Sequence, residues 1–336
     1  MSKARQLAQK TNQAGRKNLI INGAMQVAQR GTSFTTSGYT LDRLYYATSG
    51  ATATVTQEDM SASDRNTYGF EHYAKLNTTT GNNNSGFYFK IEGKDLYHLI
   101  DNKFTFSFWA KGTNPGGGSL RFEPRWYDGT NIDIGTAQSV TLNSTWTKHT
   151  VTFEFPAITN ASTTAASFQG QVLLLQPSTD TSTNAWELNI TGVQLEVGPV
   201  ATEFEHRSFG EELALCQRYF CKSFQTDVTP TQNFNFTHNA VSGSITAYAS
   251  TAGYMSSQIK FPVTMRALPD IVFYQTSLGS TSNRWQYFKA GTGWADLNGN
   301  SSDNKTQDGF RPSVTGAFTV NQFNLYYGGY TAEAEL

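Results

Sequence analysis

Apolar and polar residues alternate strictly along several short segments of this chain, and this pattern limits the possible folds more than any other feature. From Phe104 to Phe108 every second residue is a phenylalanine, and the alternation is interrupted at Trp109. The segment Thr147–Phe155 repeats the period of two. Side chains alternate between the two faces of a β-strand, so this period predicts strands with one buried and one solvated face. Antiparallel sheets are therefore expected.

About ten segments of this kind, separated by turns rich in Gly, Asn, Ser and Thr, occupy residues 18–205. They predict a jelly-roll β-sandwich that begins with a strand at Leu19–Asn22. Strand patterns resume over residues 225–336 and predict a second, smaller β-sandwich module. Within it, Leu297–Asp308 is nearly all small and polar, which predicts an exposed loop. The fold class is therefore all-β.

A different pattern between the two β-rich regions predicts a connecting helix within residues 206–224. Ser208 and Glu211 have the spacing of a capping box, in which each side chain satisfies a main-chain N–H at the start of a helix. Apolar residues lie on more than one side of the expected helix of about three to four turns, Glu211–Lys222. One sandwich edge covers only one side of a helix. We therefore predict that this helix assembles the chain into a homotrimer.

The polar composition of residues 1–17 predicts an attachment segment that is ordered only on a partner. Lys3–Lys10 has apolar residues at helical spacing, but so short a helix is marginal alone in water. No apolar signal-peptide core follows, and no segment reaches the roughly 18 apolar residues of a membrane span. Two cysteines in this length do not make a disulfide framework. These features predict synthesis in the cytoplasm and no insertion into a membrane.

Charge and motif content exclude several classes of function. The net charge of −1 argues against a nucleic-acid partner, which usually requires a basic patch. The five histidines have no metal-ligand spacing, and no cofactor motif occurs. Glu123, Asp128 and Asp133 come nearest to the carboxylate pair of a glycosidase. Arg121 and Arg125 are interleaved with them and Asp128 opens a turn, so the sequence does not predict an enzyme.

Binding is supported better than catalysis, because aromatic rings stack on sugars while neighbouring polar groups bond the hydroxyls. Two loops offer this mixture and supply the candidate binding residues Trp126, Tyr127, Asp128, Trp285, Tyr287 and Trp294. The alternative is that the rings fill the cores of the sandwiches, and it is favoured for Trp109, Trp146 and Trp186. A core position is also the stronger alternative for Trp126 and Trp285. For Trp294, which adjoins the polar loop, neither alternative is stronger.

Two stretches of the sequence resemble a signature of bacteriophage tail-fibre and related virion appendage proteins. One is Arg16–Gly31, and the other runs over Gly192–Arg207 and resumes at Glu212–Phe220. The two ends of the chain, Met1–Arg5 and Ala332–Leu336, are similar to the ends of such proteins. The strand at Phe104–Gly112 resembles strands of the carbohydrate-binding-module-like jelly rolls found in these fibres.

The resemblance implies a structural protein of the virion, located in the tail or another appendage and made in the host cytoplasm. Residues 1–17 would attach it to other virion tail proteins, and the C-terminal module would bind a host surface glycan or outer-membrane component. Fibres of this type usually have threefold symmetry, which agrees with the predicted homotrimer. Two alternatives stay open: a tail adaptor or capsid-decorating protein without a receptor role, and a depolymerase of surface polysaccharide.

Overall fold

The structure, a computed structural model, describes residues 17–48, 50–80, 85–116, 118–177, 185–232, 241–249, 252–255, 258–275, 285–289, 293–315 and 324–336. The predicted helix at Lys3–Lys10 lies outside this part of the chain. Two compact units are formed. The first comprises the chain up to Val27, Thr32–Glu212 and Leu336, and the second comprises Ala28–Gly31 and Leu213–Glu335. The division falls within the predicted connecting segment 206–224.

The first unit consists of two antiparallel sheets and short helices. Its strands are β1 Ser33–Phe34, β2 Gly38–Tyr39, β3 Leu44–Ala47, β4 Thr52–Asp59, β5 His72–Thr80, β6 Gly86–Glu92, β7 Phe104–Thr113, β8 Leu120–Tyr127, β9 Ile132–Ile134, β10 Gln138–Val140, β11 Thr147–Phe153, β12 Gln169–Leu175 and β13 Trp186–Val197. Its helices are α1 Ala62–Tyr68, α2 Gly93–Leu96 and the 3-10 turn Tyr97–Leu99. The first sheet has the order β1-β4-β5-β13-β7-β11. The second has the order β10-β8-β12-β6-β3-β2, with β9 beside β8.

The chain crosses repeatedly between the two sheets, as in a jelly roll. It passes from β6 in the second sheet to β7 in the first, returns to β8, and later passes from β11 to β12 and back to β13. The alternating phenylalanines of β7 are all fully buried, and Phe106 contacts Phe89 and Phe122 of the second sheet at centroid distances of 5.5 and 5.8 Å. The jelly-roll sandwich that the alternation predicts is confirmed.

Leu19–Asn22 is not a strand, contrary to the sequence prediction. Side chains hold this segment instead: the Asn18 side chain donates to the Val193 carbonyl at 2.9 Å and accepts from the Leu195 N–H at 3.0 Å. The Arg207 guanidinium donates to the main-chain oxygens of Asn18 and Ile20 at 2.5 and 3.2 Å. The two stretches that carry the virion-appendage resemblance are thus hydrogen-bonded to each other, which gives them a structural role.

The helix between the β-rich regions, α3, spans Phe209–Gln217. The predicted capping box is present: the Ser208 N–H donates to the Glu211 carboxylate at 2.9 Å, and the Glu211 N–H donates to Ser208 Oγ at 3.3 Å. The predicted extension to Lys222 is wrong, because Phe220–Lys222 forms strand β14. Pairing with the last strand of the chain gives that backbone its hydrogen bonds and ends the helix.

The second unit is a smaller β module. Its strands are β14 Phe220–Lys222, β15 Val241–Ala249, β16 Ala252–Met255, β17 Ile259–Lys260, β18 Asp270–Tyr274, β19 Trp285–Lys289, β20 Gly293–Thr306, β21 Gly309–Thr315 and β22 Asn324–Glu333. The pairings run β15-β16-β21-β20-β19, and both β15 and β19 pair with the first half of β22. Six strands therefore close a ring, which leaves no free edge among them. The second half of β22 pairs with β14 and β18.

The predicted exposed loop Leu297–Asp308 is largely strand, because β20 continues to Thr306. Asn and Ser have low strand propensity, but β20 pairs with β19 on one side and with β21 on the other. The backbone ladders on both sides outweigh the propensity of the side chains. Register shifts between Asn298 and Asn304 accommodate the irregular sequence.

Candidate functional site

The tryptophans at the centre of both predicted binding loops are core residues. Trp126 has no exposed surface, stacks on Phe168 at 5.2 Å and donates its indole N–H to the Pro156 carbonyl at 2.9 Å. Trp285 is equally buried, and its ring stacks on Tyr326 at 5.3 Å. A ring without exposed surface cannot stack on a sugar. The core alternative therefore holds for both residues, and their assignment as binding residues is corrected.

The other candidates of the second unit offer no described binding surface. Tyr287 is buried in the cluster that contains Trp285, Phe273 and Phe310. Trp294 lies in β20, where its backbone pairs with Phe288. The side chain of Trp294 lies outside the described part of the structure, so its contact with a ligand stays a prediction. The two predicted loops belong to different units.

The carboxylates around Trp126 hold loops in place. Asp128 accepts from the N–H groups of Thr130 and Asn131 at 2.8 and 2.6 Å and from that of Ser162 at 2.8 Å. These donors hold the pKa of Asp128 far below its usual range, the Ser162 N–H contributing most. Asp128 is therefore a turn residue, and its role as a sugar ligand stays a prediction.

Asp133 has the same kind of environment. Its carboxylate accepts from the main-chain N–H groups of Thr159, Asn160 and Ala161 at 2.9 to 3.1 Å. Burial raises its pKa, but these N–H groups and the Thr159 hydroxyl lower it more, so the carboxyl is ionised well below its ordinary range. Glu123 is buried between Arg121 and Arg125, with N–O distances of 3.1 and 3.9 Å. All three carboxylates thus have internal partners.

Tyr127 alone among the predicted residues of the first unit faces outward and is only half-buried. In β8 the residues Leu120, Phe122 and Trp126 point into the core, so Arg121, Glu123, Arg125 and Tyr127 point away from it. Arg125 pairs with Gln171 of β12, which pairs with Lys90 of β6. Tyr88 of β6 pairs with Tyr45 of β3. Register therefore places on the outer side of the second sheet a set that we call the tyrosine–arginine face: Tyr45, Tyr88, Lys90, Arg121, Arg125 and Tyr127.

Arg125 is fixed at the centre of the tyrosine–arginine face. Its Nε donates to Gln171 Oε1 at 2.7 Å, and its guanidinium lies 4.9 Å from the centroid of the Tyr88 ring. Glu123, on the same side of β8, forms ion pairs with both Arg121 and Arg125. An arginine held by a buried carboxylate and a buried amide loses little further entropy when it binds a ligand.

The tyrosines form a continuous row beside the arginines. The rings of Tyr45 and Tyr88 are 5.7 Å apart, and Tyr39 of β2 contacts Tyr45 edge to face at 5.2 Å. Lys90 Nζ lies 3.9 Å from the centroid of Tyr45 and also donates to the main-chain oxygen of Leu336 at 3.0 Å. All three tyrosines are half-buried, so each still presents part of its surface to solvent.

The alternation of residues in β8 already indicates part of the tyrosine–arginine face. In β8, Trp126 is in phase with the apolar Leu120 and Phe122, whereas Tyr127 is in phase with Arg121 and Arg125. The period of two therefore separates the buried from the exposed ring. Tyr45 and Tyr88 were missed because strand pairing, which a single sequence does not give, brings them beside Arg125.

Nothing among the described residues indicates a metal site, since no group of three or more His, Cys, Asp and Glu side chains converges there. In the same part of the chain, no helix is both long and apolar enough to cross a membrane.

No protein-family model matches this sequence, and no curated protein matches it significantly. Parts of solved structures are similar. A family 4 carbohydrate-binding module is 17% identical with a TM-score of 0.34, over 53% of this chain and 99% of that one. A family 11 carbohydrate-binding module of a Clostridium thermocellum cellulase is 11% identical with a TM-score of 0.32, over 53% and 99%.

A xylan-binding domain from Paenibacillus barcinonensis is 15% identical with a TM-score of 0.29, over 52% of this chain and 100% of that chain. These identities and TM-scores are low. The description of the first unit as a jelly roll therefore rests on its own strands and pairings.

Proposed function

We propose that the first unit binds a glycan on the tyrosine–arginine face. The observation that carries this proposal is the placement of Tyr45, Tyr88 and Tyr127 beside two arginines on the outer side of one sheet. Half-exposed aromatic rings offer apolar surface to the C–H groups of a sugar. The arginines offer several N–H donors in a fixed plane to sugar oxygens.

The charge of the face favours an acidic glycan. Lys90, Arg121 and Arg125 outnumber the two carboxylates on this side of the sheet, Glu123 and Glu92. Both carboxylates are buried, and they already pair with the two arginines and with Lys94 respectively. A guanidinium binds a carboxylate through two parallel hydrogen bonds, so a uronic acid residue suits Arg125. Binding of this kind weakens as salt rises, because partly exposed charges are screened.

The experiment is a screen of the intact protein against immobilised acidic and neutral bacterial polysaccharides, followed by titration with the best ligand. Tyr88→Ala removes a ring that is not part of the core, and we expect binding to weaken about tenfold, the equivalent of about 1.4 kcal/mol. Arg125→Ala should weaken it at least as much. Tyr97→Ala is the matched control, since Tyr97 is 52% exposed and lies outside the face.

If Tyr88→Ala, Arg125→Ala and the control all keep the wild-type affinity, the glycan binds elsewhere and the proposed site is wrong. If the protein binds none of the polysaccharides, the proposal that it binds a glycan is wrong. Circular dichroism of each variant separates loss of the site from loss of the fold.

We propose further that the protein binds glycans as part of a phage tail appendage and does not cleave them. The appendage location is supported by the resemblance of Arg16–Gly31 and Gly192–Arg207 to such proteins. We propose the homotrimer because fibres of that type usually have threefold symmetry. The absence of cleavage is supported by Glu123, Asp128 and Asp133, each of which has internal partners. Light scattering tests the trimer, and release of reducing ends from the bound glycan would contradict the non-enzymatic assignment.

A further inference from the structure

A cavity of about 300 Å³ lies on the outer side of the first sheet, on the other sheet from the tyrosine–arginine face. Its lining includes four aromatic and two charged residues: Tyr68, Phe70, Trp109, Phe204, Lys148 and Glu203. We call it the aromatic pocket. Trp109 is the residue at which the alternation of β7 is interrupted, and its ring points outward and is only half-buried.

The aromatic lining comes from two groups of packed rings. Tyr68, at the end of α1, packs on Trp109 with centroids 4.7 Å apart. Phe70 packs on Phe204 at 5.0 Å and on His206 at 5.5 Å. Each ring is therefore fixed by a neighbour, and the pocket does not depend on a single mobile side chain.

A β-bulge with a glycine shapes the pocket where β13 passes it. The register of β13 against β7 shifts between Thr191 and Gln194. Gly192 within this bulge has φ of +59°, and a Cβ there would lie 2.5 Å from the Phe70 ring. Bulges commonly redirect side chains at functional sites. Only glycine allows the Phe70 ring to lie against this stretch of backbone.

One positively and one negatively charged side chain complete the lining of the aromatic pocket. Lys148 is exposed and also donates to the Thr202 carbonyl at 3.3 Å, while Glu203 is an exposed carboxylate. The segment that carries Glu203 is held in place, because the Thr202 N–H donates to Glu196 at 2.8 Å and the Glu205 N–H to Gln194 at 2.9 Å. The pocket is therefore formed before any ligand arrives.

We propose that the aromatic pocket binds a single neutral pyranose ring, independently of the tyrosine–arginine face. The volume is at the lower end of the roughly 300–1,000 Å³ of small-molecule sites, which suits one sugar ring and not a chain. The rings supply apolar surface for the sugar's faces. Lys148 donates to hydroxyl oxygens and Glu203 accepts from hydroxyl protons, and their opposite charges favour a ligand without net charge.

The test uses the intact protein labelled with 5-fluorotryptophan and titrated with methyl β-D-glucopyranoside, methyl β-D-galactopyranoside and methyl N-acetyl-β-D-glucosaminide. The fluorine resonance of Trp109 is identified by its loss in Trp109→Phe. We expect at least one sugar to shift this resonance in a saturable way and to leave that of the buried Trp126 unchanged. Glu203→Gln and Lys148→Ala should each weaken the binding at least fivefold.

Lys103→Ala is the matched control for Lys148→Ala, because Lys103 is also exposed and does not line the pocket. The proposal is overturned if no sugar shifts the Trp109 resonance, or if the shift persists with the same affinity in both pocket variants. A saturable shift with N-acetyltryptophanamide and none with the sugars would assign the pocket to an aromatic side chain and also overturn it. Tyr88→Ala should leave the Trp109 shift intact, so failure of the face and failure of the pocket are distinguishable.

Discussion

Arg207 should be the residue whose loss most destabilises the contact between the stretches Arg16–Gly31 and Gly192–Arg207. Its side chain is 9% exposed and contacts Glu205 at 2.7 Å and Glu212 at 3.2 Å, besides the carbonyls of Asn18 and Ile20. Glu212 is itself 8% exposed. Arg207→Ala leaves this buried carboxylate without its cation, a change that typically costs about 3–5 kcal/mol.

The assay is urea denaturation followed by tryptophan fluorescence. With a slope of about 2 kcal/mol per molar, the midpoint of the transition of the first unit should fall by about 2 M. Arg207→Lys keeps the charge but not the forked geometry, and should fall between the wild type and Arg207→Ala. Arg65→Ala is the control, since Arg65 is exposed and its guanidinium donates to the Met60 carbonyl at 3.0 Å. A midpoint shift for Arg207→Ala no larger than that of the control would show that the ion pair of Arg207 with Glu212 does not stabilise the first unit.

Three further predictions concern the first unit, acid stability and the thiols. Trp126→Ala should destabilise the first unit by about 3–5 kcal/mol, because it empties a fully buried site, yet a folded fraction should keep its glycan affinity in a titration at low temperature. Burial raises the pKa of Glu205, but the N–H groups of Asn18 and Lys17 and the Arg207 guanidinium bring it below the ordinary 4.5. The ionised Glu205 therefore stabilises the folded protein above pH 4.5, and this contribution is lost as the pH falls through the lowered pKa. The melting temperature of the wild type should drop in acid, and that of Glu205→Gln should drop less. Burial raises the pKa of Cys221 to about 12, and Cys216 is also buried, so iodoacetamide at pH 8 should label either thiol only after unfolding, as mass spectrometry would show.

The sequence predicted those elements whose pattern is local and regular. The period of two at Phe104–Phe108 identified a strand with a buried face, and the spacing of Ser208 and Glu211 located the start of α3. The helix α1 was missed although its signals were present: Ser61 caps it by accepting from the Asp64 N–H, and Gly69 ends it in a left-handed conformation. The helix has only seven residues, too few to show a clear helical periodicity, and it lies between two strands.

Elements that depend on partners distant in sequence were not predictable in this way. β20 is a strand because β19 and β21 flank it, not because Asn and Ser favour strands. Leu19–Asn22 is fixed by Asn18 and Arg207, whose partners lie 175 to 189 residues away in sequence. The candidate site has the same origin, since Tyr88 and Arg125 meet only through the pairing of β6, β12 and β8.

A crystal structure of the protein with the best-binding polysaccharide fragment from the screen would show directly whether the tyrosine–arginine face binds a glycan. We expect a sugar ring in contact with Tyr88 and an acidic or hydroxyl group of the same ligand within hydrogen-bond distance of Arg125. A fragment bound elsewhere at full occupancy, with the tyrosine–arginine face covered only by solvent, would contradict it.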